Sequence, residues 1–258
     1  MSLSSNLKTS SMDFERIAER IVDFIREQVE AANAEGVILG LSGGIDSAVV
    51  AFLCVRALGR EKVLATIMPE KGVTAEEDVA DAIEIAKMLG IEYRVIEISD
   101  IVKMLTEKLG KANKSAEMNL KPRVRMMINY YYANGLNRLV AGTGNKSEIS
   151  IGYFTKYGDG GVDFQPIGDL YKTEIFQFAK FLGVPEKIIR KKPTAGLSVG
   201  QTDEGEIGMS YAELDEILKM IEKGIKRDDE NFRRVLKLVN GSEHKRRLPP
   251  IPKVRDLI

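Results

Sequence analysis

Gly40-Leu41-Ser42-Gly43-Gly44-Ile45-Asp46-Ser47 joins an apolar run, Val37 to Leu41, to an amphipathic helical pattern, Ser47 to Leu58. Such a junction is where a phosphate binds. Adjacent glycines let the backbone turn sharply and approach a ligand, and the helix that follows offers unpaired N–H groups and the positive end of its dipole. Ser42 and Ser47 add hydroxyl donors. Asp46 adds a carboxylate suited to Mg²⁺, which would balance the charge of a polyphosphate. The stretch lacks the Gly-Lys-Ser/Thr ending of a Walker A loop, and its glycines are not spaced as a dinucleotide fingerprint.

Outward from the loop the chain alternates. Phe14, Ile17, Ala18, Ile21, Val22, Ile25 and Val29 recur at helical spacing, predicting a first helix that ends near Gly36. Apolar segments near Val37 to Leu41, Val63 to Met68, Tyr93 to Ile98 and Arg138 to Gly142 predict strands. Helical patterns at Ser47 to Leu58 and Ala75 to Leu89 separate the first three. This order predicts an α/β fold, a doubly wound parallel sheet flanked by helices, with ligands beyond the carboxyl ends of the strands. Ile101 to Leu136 reads as two helices around a polar joint. The second carries Lys121, Arg123, Arg125 and Tyr130-Tyr131-Tyr132, is expected to be buried against a domain or a partner subunit, and should hold Pro122 no deeper than its first turn. Beyond Gly142 the chain is loop-rich, with further helices expected at Lys172 to Leu182 and Tyr211 to Lys223 and a proline-rich, non-helical tail.

Bulk properties exclude several classes. The 258 residues suffice for one large α/β domain, expected over 13–258 after a polar, flexible leader at 1–12. Lys plus Arg equals Asp plus Glu at 38 each, which removes the electrostatic argument for a nucleic-acid or acidic-membrane surface. No apolar run reaches membrane-spanning length and no signal core opens the chain, so a cytoplasmic protein is expected. Cys54 is the only cysteine, which rules out an internal disulfide or a cysteine-rich zinc site, and its apolar helical surroundings predict a buried side chain.

A second strand end runs into Gly142-Thr143-Gly144-Asn145-Lys146-Ser147-Glu148 and would face the first loop. Asp46 and Glu148, with Thr143 between them, form a plausible oxygen shell for Mg²⁺. Taken alone, Glu148 reads rather as a helix cap or a surface partner of Lys146 than as a metal ligand.

SGGIDS resembles the pyrophosphate loop of ATP pyrophosphatases, whose fold is adenine-nucleotide α-hydrolase-like. Followed in order by GTGNKSE, GYFTKYGDGGVDFQPIGDLYKTE, KKPTAGLSVGQTDEGEIGMSY and EHKRRLPP, it makes nearly the whole chain similar to the ammonia-dependent NAD synthetase family. The resemblance implies that ATP adenylates the nicotinate carboxylate of deamido-NAD and that ammonia displaces AMP. It also implies a homodimer with deamido-NAD near the subunit interface. A carboxylate is a poor acyl electrophile, and the adenylate supplies the leaving group that ammonia needs.

Residue by residue, the resemblance implies that Gly40, Leu41, Ser42, Gly43, Gly44, Ile45, Asp46 and Ser47 hold ATP, completed by Thr143, Lys172 and Thr194. Asp46 and Glu148 would bind magnesium. Arg123, Lys156, Asp163, His244 and Lys245 would contact deamido-NAD. Lys172 would stabilise charge building on the departing pyrophosphate. Asp159, in the Gly158-Asp159-Gly160-Gly161 turn, is the candidate for taking a proton from ammonium, although the same turn reads almost as well as a plain β-turn. Gly196 stands where some relatives carry Asp after Pro-Thr-Ala, and no role is carried over there.

Three rivals stay open on sequence. One is an ATP pyrophosphatase amidating another adenylated substrate, such as a purine nucleotide. The second is a non-catalytic ATP-binding regulatory module, and the third, a tRNA-modifying pyrophosphatase, is weakened by the neutral charge and lack of paired cysteines. No glutamine-hydrolysing domain can be placed, so free ammonia is the implied nitrogen donor, with a separate glutaminase chain as the alternative.

Overall fold

Four strands form one parallel sheet, β1 (Gly36–Gly40), β2 (Val63–Ile67), β3 (Glu92–Val95) and β4 (Arg138–Val140), in the order β3-β2-β1-β4. The computed structural model describes residues 12–198 and 200–255; the expected leader lies outside them except for Met12. Val37 of β1 stands between Val63 of β2 and Leu139 of β4, and Leu64 pairs with Glu92. From β1 the chain winds outward through β2 and β3, then returns to the opposite side of β1 as β4. The order therefore reverses between β1 and β4, the switch point where open α/β sheets bind ligands.

Eleven helices are described: α1 (Phe14–Ala31), α2 (Ile45–Leu58), α3 (Glu76–Leu89), α4 (Ser99–Leu109), α5 (Lys114–Gly135), α6 (Lys146–Ile151), α7 (Lys172–Leu182), α8 (Glu186–Ile189), α9 (Asp203–Ile207), α10 (Tyr211–Glu222) and α11 (Glu230–Gly241). Alternation along β1 divides them. Val37 and Leu39 join the main core with α1, α2, α3, α7 and α8, whereas Ile38 turns to Ala133 of α5 on the other face. Helix α1 is capped by Asp13, which accepts the Arg16 N–H at 3.1 Å, and buries Ala18, Val22, Ile25 and Val29 along one stripe. Each large aliphatic in such a stripe contributes ~1.5–3 kcal/mol. Helix α2 is apolar on nearly all sides because α1, α3 and α7 enclose it. Burial there pushes the Cys54 thiol up to about 12, so it remains an inert core side chain.

One expectation needs correction. Pro122 is the ninth residue of α5, because Asn113 caps the helix by accepting the Ala116 N–H at 2.9 Å. The missing N–H is tolerated where the buried ring fits against the Gly158 turn, so closely that a Cβ on Gly158 would lie 2.8 Å from the Pro122 Cβ. In α5, Val124 and Ala133 are buried within this chain, whereas Tyr131 is 77% exposed and Met127 50%. A single 3₁₀ turn at Glu243–Lys245 takes in the first two residues of the expected tail, and no α-helix follows it among the described residues.

Candidate active site

Both loops at the switch point enter one cleft of about 950 Å³. On the first, Gly43 has φ of +82°, and a Cβ there would lie 2.2 Å from the Asp78 carbonyl oxygen, so only glycine allows α3 to press against the turn. The Ser42 and Ser47 hydroxyls stand 3.0 Å apart, and the Gly44 N–H donates to Ser42 Oγ at 3.3 Å. Ser47 Oγ donates to the Gly44 carbonyl at 3.0 Å. The result is a narrow turn at the start of α2, lined by small hydroxyls and aimed at the cleft.

After β4, Asn145 opens α6 with a capping box: its Oδ1 accepts the Glu148 N–H at 3.1 Å, and Glu148 Oε2 accepts the Asn145 N–H at 3.4 Å. Glu148 is thus a helix cap as well as a cleft residue. Lys146 is not its partner; that ammonium pairs with Asp169 and Glu222. The amide of Asn145 reaches across to Asp46 Oδ1 at 3.1 Å and ties the two loops together.

Lys172, the first residue of α7, is 2% exposed, and its ammonium stands 2.5 Å from Asp46 Oδ2 and 3.3 Å from Glu148 Oε1. Burial alone would lower its pKa, but Asp46 and Glu148 outweigh that and raise it, so the lysine is held charged. For Glu148, burial is the largest influence and raises the carboxyl; Lys172 pulls it down, and Asp46 and Asp203 push it up again. Tyr211 OH donates to buried Asp203 at 3.0 Å, and its ring lies 5.2 Å from the Lys172 ammonium. Around one lysine the site thus gathers three carboxylates, an excess of negative charge suited to a divalent cation.

Asp46 and Glu148 converge on the Lys172 ammonium and retain partial exposure of 18% and 17%. Two hard carboxylates beside a phosphate loop fit Mg²⁺, which takes one or two carboxylates together with phosphate oxygens and water. Among the described residues no three His, Cys, Asp or Glu side chains are grouped so as to hold a metal ion.

Thr143, Thr194, Asp159 and Lys245 also line the cleft wall. Asp159 is exposed at the cleft, where the loss of surrounding water inside the cavity raises its carboxyl despite the Thr155 N–H bond at 2.9 Å and the attraction of Lys245 and Arg125. The turn depends on small neighbours: a Cβ on Gly160 would meet the Phe154 ring at 2.4 Å. Lys245 donates to the Gly152 and Phe154 carbonyls at 2.7 and 2.8 Å, which anchors the tail to this wall.

Arg123, Lys156, Asp163 and His244 do not line the cleft. Three of them form a chain beside it, where Arg123 donates to the Lys156 carbonyl at 3.4 Å and Lys156 Nζ to the His244 carbonyl at 2.8 Å. Asp163 accepts Tyr130 OH at 3.0 Å and the Val140 N–H at 2.7 Å. The structure adds Asn145, Asp203 and Tyr211 to the site; only Asn145 had a signal in the sequence, the Asn-x-x-Glu capping box.

A family model described as NAD synthase matches residues 17–249. The chain belongs to the NAD synthase family. It is 66% identical to an NH(3)-dependent NAD(+) synthetase of Archaeoglobus fulgidus, over 96% of this chain and 100% of that one. Among solved structures it is similar to an NMN synthetase from Francisella tularensis, with a TM-score of 0.86 and 37% identity over 94% of this chain and 99% of the other. It is also similar to an NH3-dependent NAD synthetase from Campylobacter jejuni in complex with nitrate, with a TM-score of 0.82 and 35% identity over 94% and 100% of the two chains. The fold is the adenine-nucleotide α-hydrolase-like one, and the enzyme is a ligase that forms a carbon–nitrogen bond.

Proposed function

We propose that residues 13–258 form one catalytic unit that converts deamido-NAD to NAD with ATP and ammonia, releasing AMP and pyrophosphate. The observation that carries this reading is the meeting of the SGGIDS turn, Asp46, Glu148 and Lys172 at the switch point of a NAD synthase family sheet. The turn and the start of α2 bind the phosphates through backbone N–H groups and the Ser42 and Ser47 hydroxyls. Thr143 and Thr194 complete the nucleotide's surroundings. Asp46 and Glu148 would hold magnesium, which supplies positive charge to the phosphate oxygens when bound.

The nicotinate carboxylate oxygen attacks the α phosphorus, and the bond from that phosphorus to the bridging oxygen breaks. Lys172 meets the charge that grows on the departing pyrophosphate. Ammonia then adds to the acyl carbon, and AMP leaves with the former carboxylate oxygen. Starting from ammonium, nitrogen loses one proton before attack and a second as the amide forms; Asp159 takes the first. Arg123, Lys156, Asp163, His244 and Lys245 contact the dinucleotide at the side of the cleft. Exposed Met127 and Tyr131 of α5 support a homodimer with that substrate near the interface. Among the described residues no helix is long and apolar enough to cross a membrane, in keeping with a cytoplasmic enzyme.

Deamido-NAD labelled with ¹⁸O in its carboxylate tests the adenylate. One labelled oxygen is expected in AMP and none in pyrophosphate; label in pyrophosphate would contradict the reading. The likeness to the Francisella NMN synthetase favours a second reading, in which the shorter mononucleotide acid is the acceptor. Comparing kcat/KM for the two acids decides between them.

Asp159→Asn is expected to lower kcat/KM for ammonium by ~10²-fold at neutral pH, the usual scale for a lost general base. Stability should move the other way. Because the folded-state carboxyl is raised above its usual 3.8, the native protein loses stability as pH rises from that value through the folded pKa. The variant should therefore melt higher than wild type at pH 7 and lose that advantage below 3.8, as thermal unfolding across pH would measure. Unchanged dependence on ammonium and pH would remove Asp159 from the mechanism.

A further inference from the structure

Asp215 lies on α10 behind the cleft wall, 2% exposed, and none of the described lysines, arginines or histidines pairs with it. Its carboxylate is nevertheless fully engaged. Oδ2 accepts the Thr173 N–H at 2.9 Å and the Thr173 hydroxyl at 2.8 Å, and Oδ1 accepts the Ser147 hydroxyl. Ser147 Oγ in turn accepts the Lys172 N–H at 2.9 Å. Lys172 and Thr173 open α7, and Ser147 immediately precedes Glu148 in the first turn of α6. One carboxylate thus joins the starts of the two helices that carry the site's cation and one of its carboxylates.

We propose that Asp215 is a positioning residue for the reaction, acting through Ser147 and Thr173 to fix the Lys172 ammonium relative to Glu148. The inference rests on the reading of Lys172 as the cation that meets the departing pyrophosphate. The direction of each bond is forced. A backbone N–H can only donate, so Oδ2 must be an acceptor; with Oδ1 also accepting, the Ser147 hydrogen points at Asp215 and leaves an oxygen lone pair for the Lys172 N–H. An amide cannot reproduce this. Its oxygen must stay opposite Thr173, so its NH₂ faces Ser147, whose hydroxyl hydrogen then has to turn into a buried region. The first turn of α7 loses its anchor, and the displaced atom is an ammonium held 2.5 Å from Asp46.

Asp215→Asn and Ser147→Ala, assayed for AMP and NAD formation well below their melting temperatures, test this. Wild-type turnover in the same assay reports separately on the proposed function. Each variant is expected to lose ~10- to 100-fold in kcat, the scale of a catalytic group displaced by about an ångström, with KM for ATP within threefold of wild type. The double variant should be no slower than the slower single one, because both break one chain of bonds. In a Lys172→Arg background, Asp215→Asn should cost little further activity. A lowered melting temperature with kcat unchanged, multiplicative losses in the double variant, or the full loss repeated in the Lys172→Arg background would each make Asp215 merely structural. Should Asp215→Asn fail to fold, Ser147→Ala alone decides through the kcat against KM split and the Lys172→Arg background.

Discussion

Lys172→Ala should slow AMP formation by ~10³-fold or more while leaving the fold recognisable, since removing one preorganised charge from a phosphoryl-transfer site has effects of that order. Among the described residues the lysine is the one cation shared by Asp46 and Glu148, with Asp203 behind them. Its removal therefore has a second consequence. Breaking a buried ion pair from one side costs ~3–5 kcal/mol, because the remaining carboxylates face one another without compensation. The variant should melt below wild type at pH 7 and regain more of that loss than wild type gains when magnesium is added. Single-turnover AMP release, with thermal unfolding with and without magnesium chloride, measures both. A variant of normal stability and near-normal AMP release would remove Lys172 from the chemistry and undo the proposal for Asp215 with it.

Asp46→Asn carries the next largest effect. The substitution keeps an oxygen able to accept the Asn145 amide, 3.1 Å away in the native site, but removes the charge and turns an NH₂ toward the Lys172 ammonium. Loss of a carboxylate beside a metal–phosphate complex is worth several kcal/mol, so kcat/KM for ATP should fall by ~10²-fold or more. The magnesium concentration giving half-maximal rate should rise in parallel. If only the rate fell, at unchanged magnesium dependence, Asp46 would be acting through Lys172 rather than on the ion.

The parts legible in the sequence are those with local causes. The apolar stripe from Ala18 to Val29, the Gly-Gly turn after a buried strand and the Asn145 capping box each declare themselves within a dozen residues. Edge strand β3, Glu-Tyr-Arg-Val, is exposed at three of its four residues and shorter than its apolar surroundings suggest; Ile96 and Ile98 still follow β2 through bonds to the Ile67 and Pro69 carbonyls at 2.8 and 3.0 Å. Helix α11 has Phe232, Val235 and Val239 at helical spacing, but the charged run before it hides the Asp229 cap that accepts the Phe232 N–H at 3.0 Å. Pro122 misleads because tertiary packing against Gly158 overrides a local rule. Asp203, Tyr211 and Asp215 are single polar residues on ordinary helices, and only the fold brings them to Lys172.

The central claim is that one site couples cleavage of ATP to amide formation on an adenylated carboxylate. Its most direct test is to quantify AMP, pyrophosphate and NAD produced from ATP, magnesium, ammonium and deamido-NAD, with the mononucleotide acid and xanthosine monophosphate as alternative acceptors and glutamine as alternative nitrogen donor. One NAD is predicted for each AMP and pyrophosphate, with ammonium sufficient and deamido-NAD preferred. ATP bound without cleavage, or cleavage that needs a different acceptor, would contradict it.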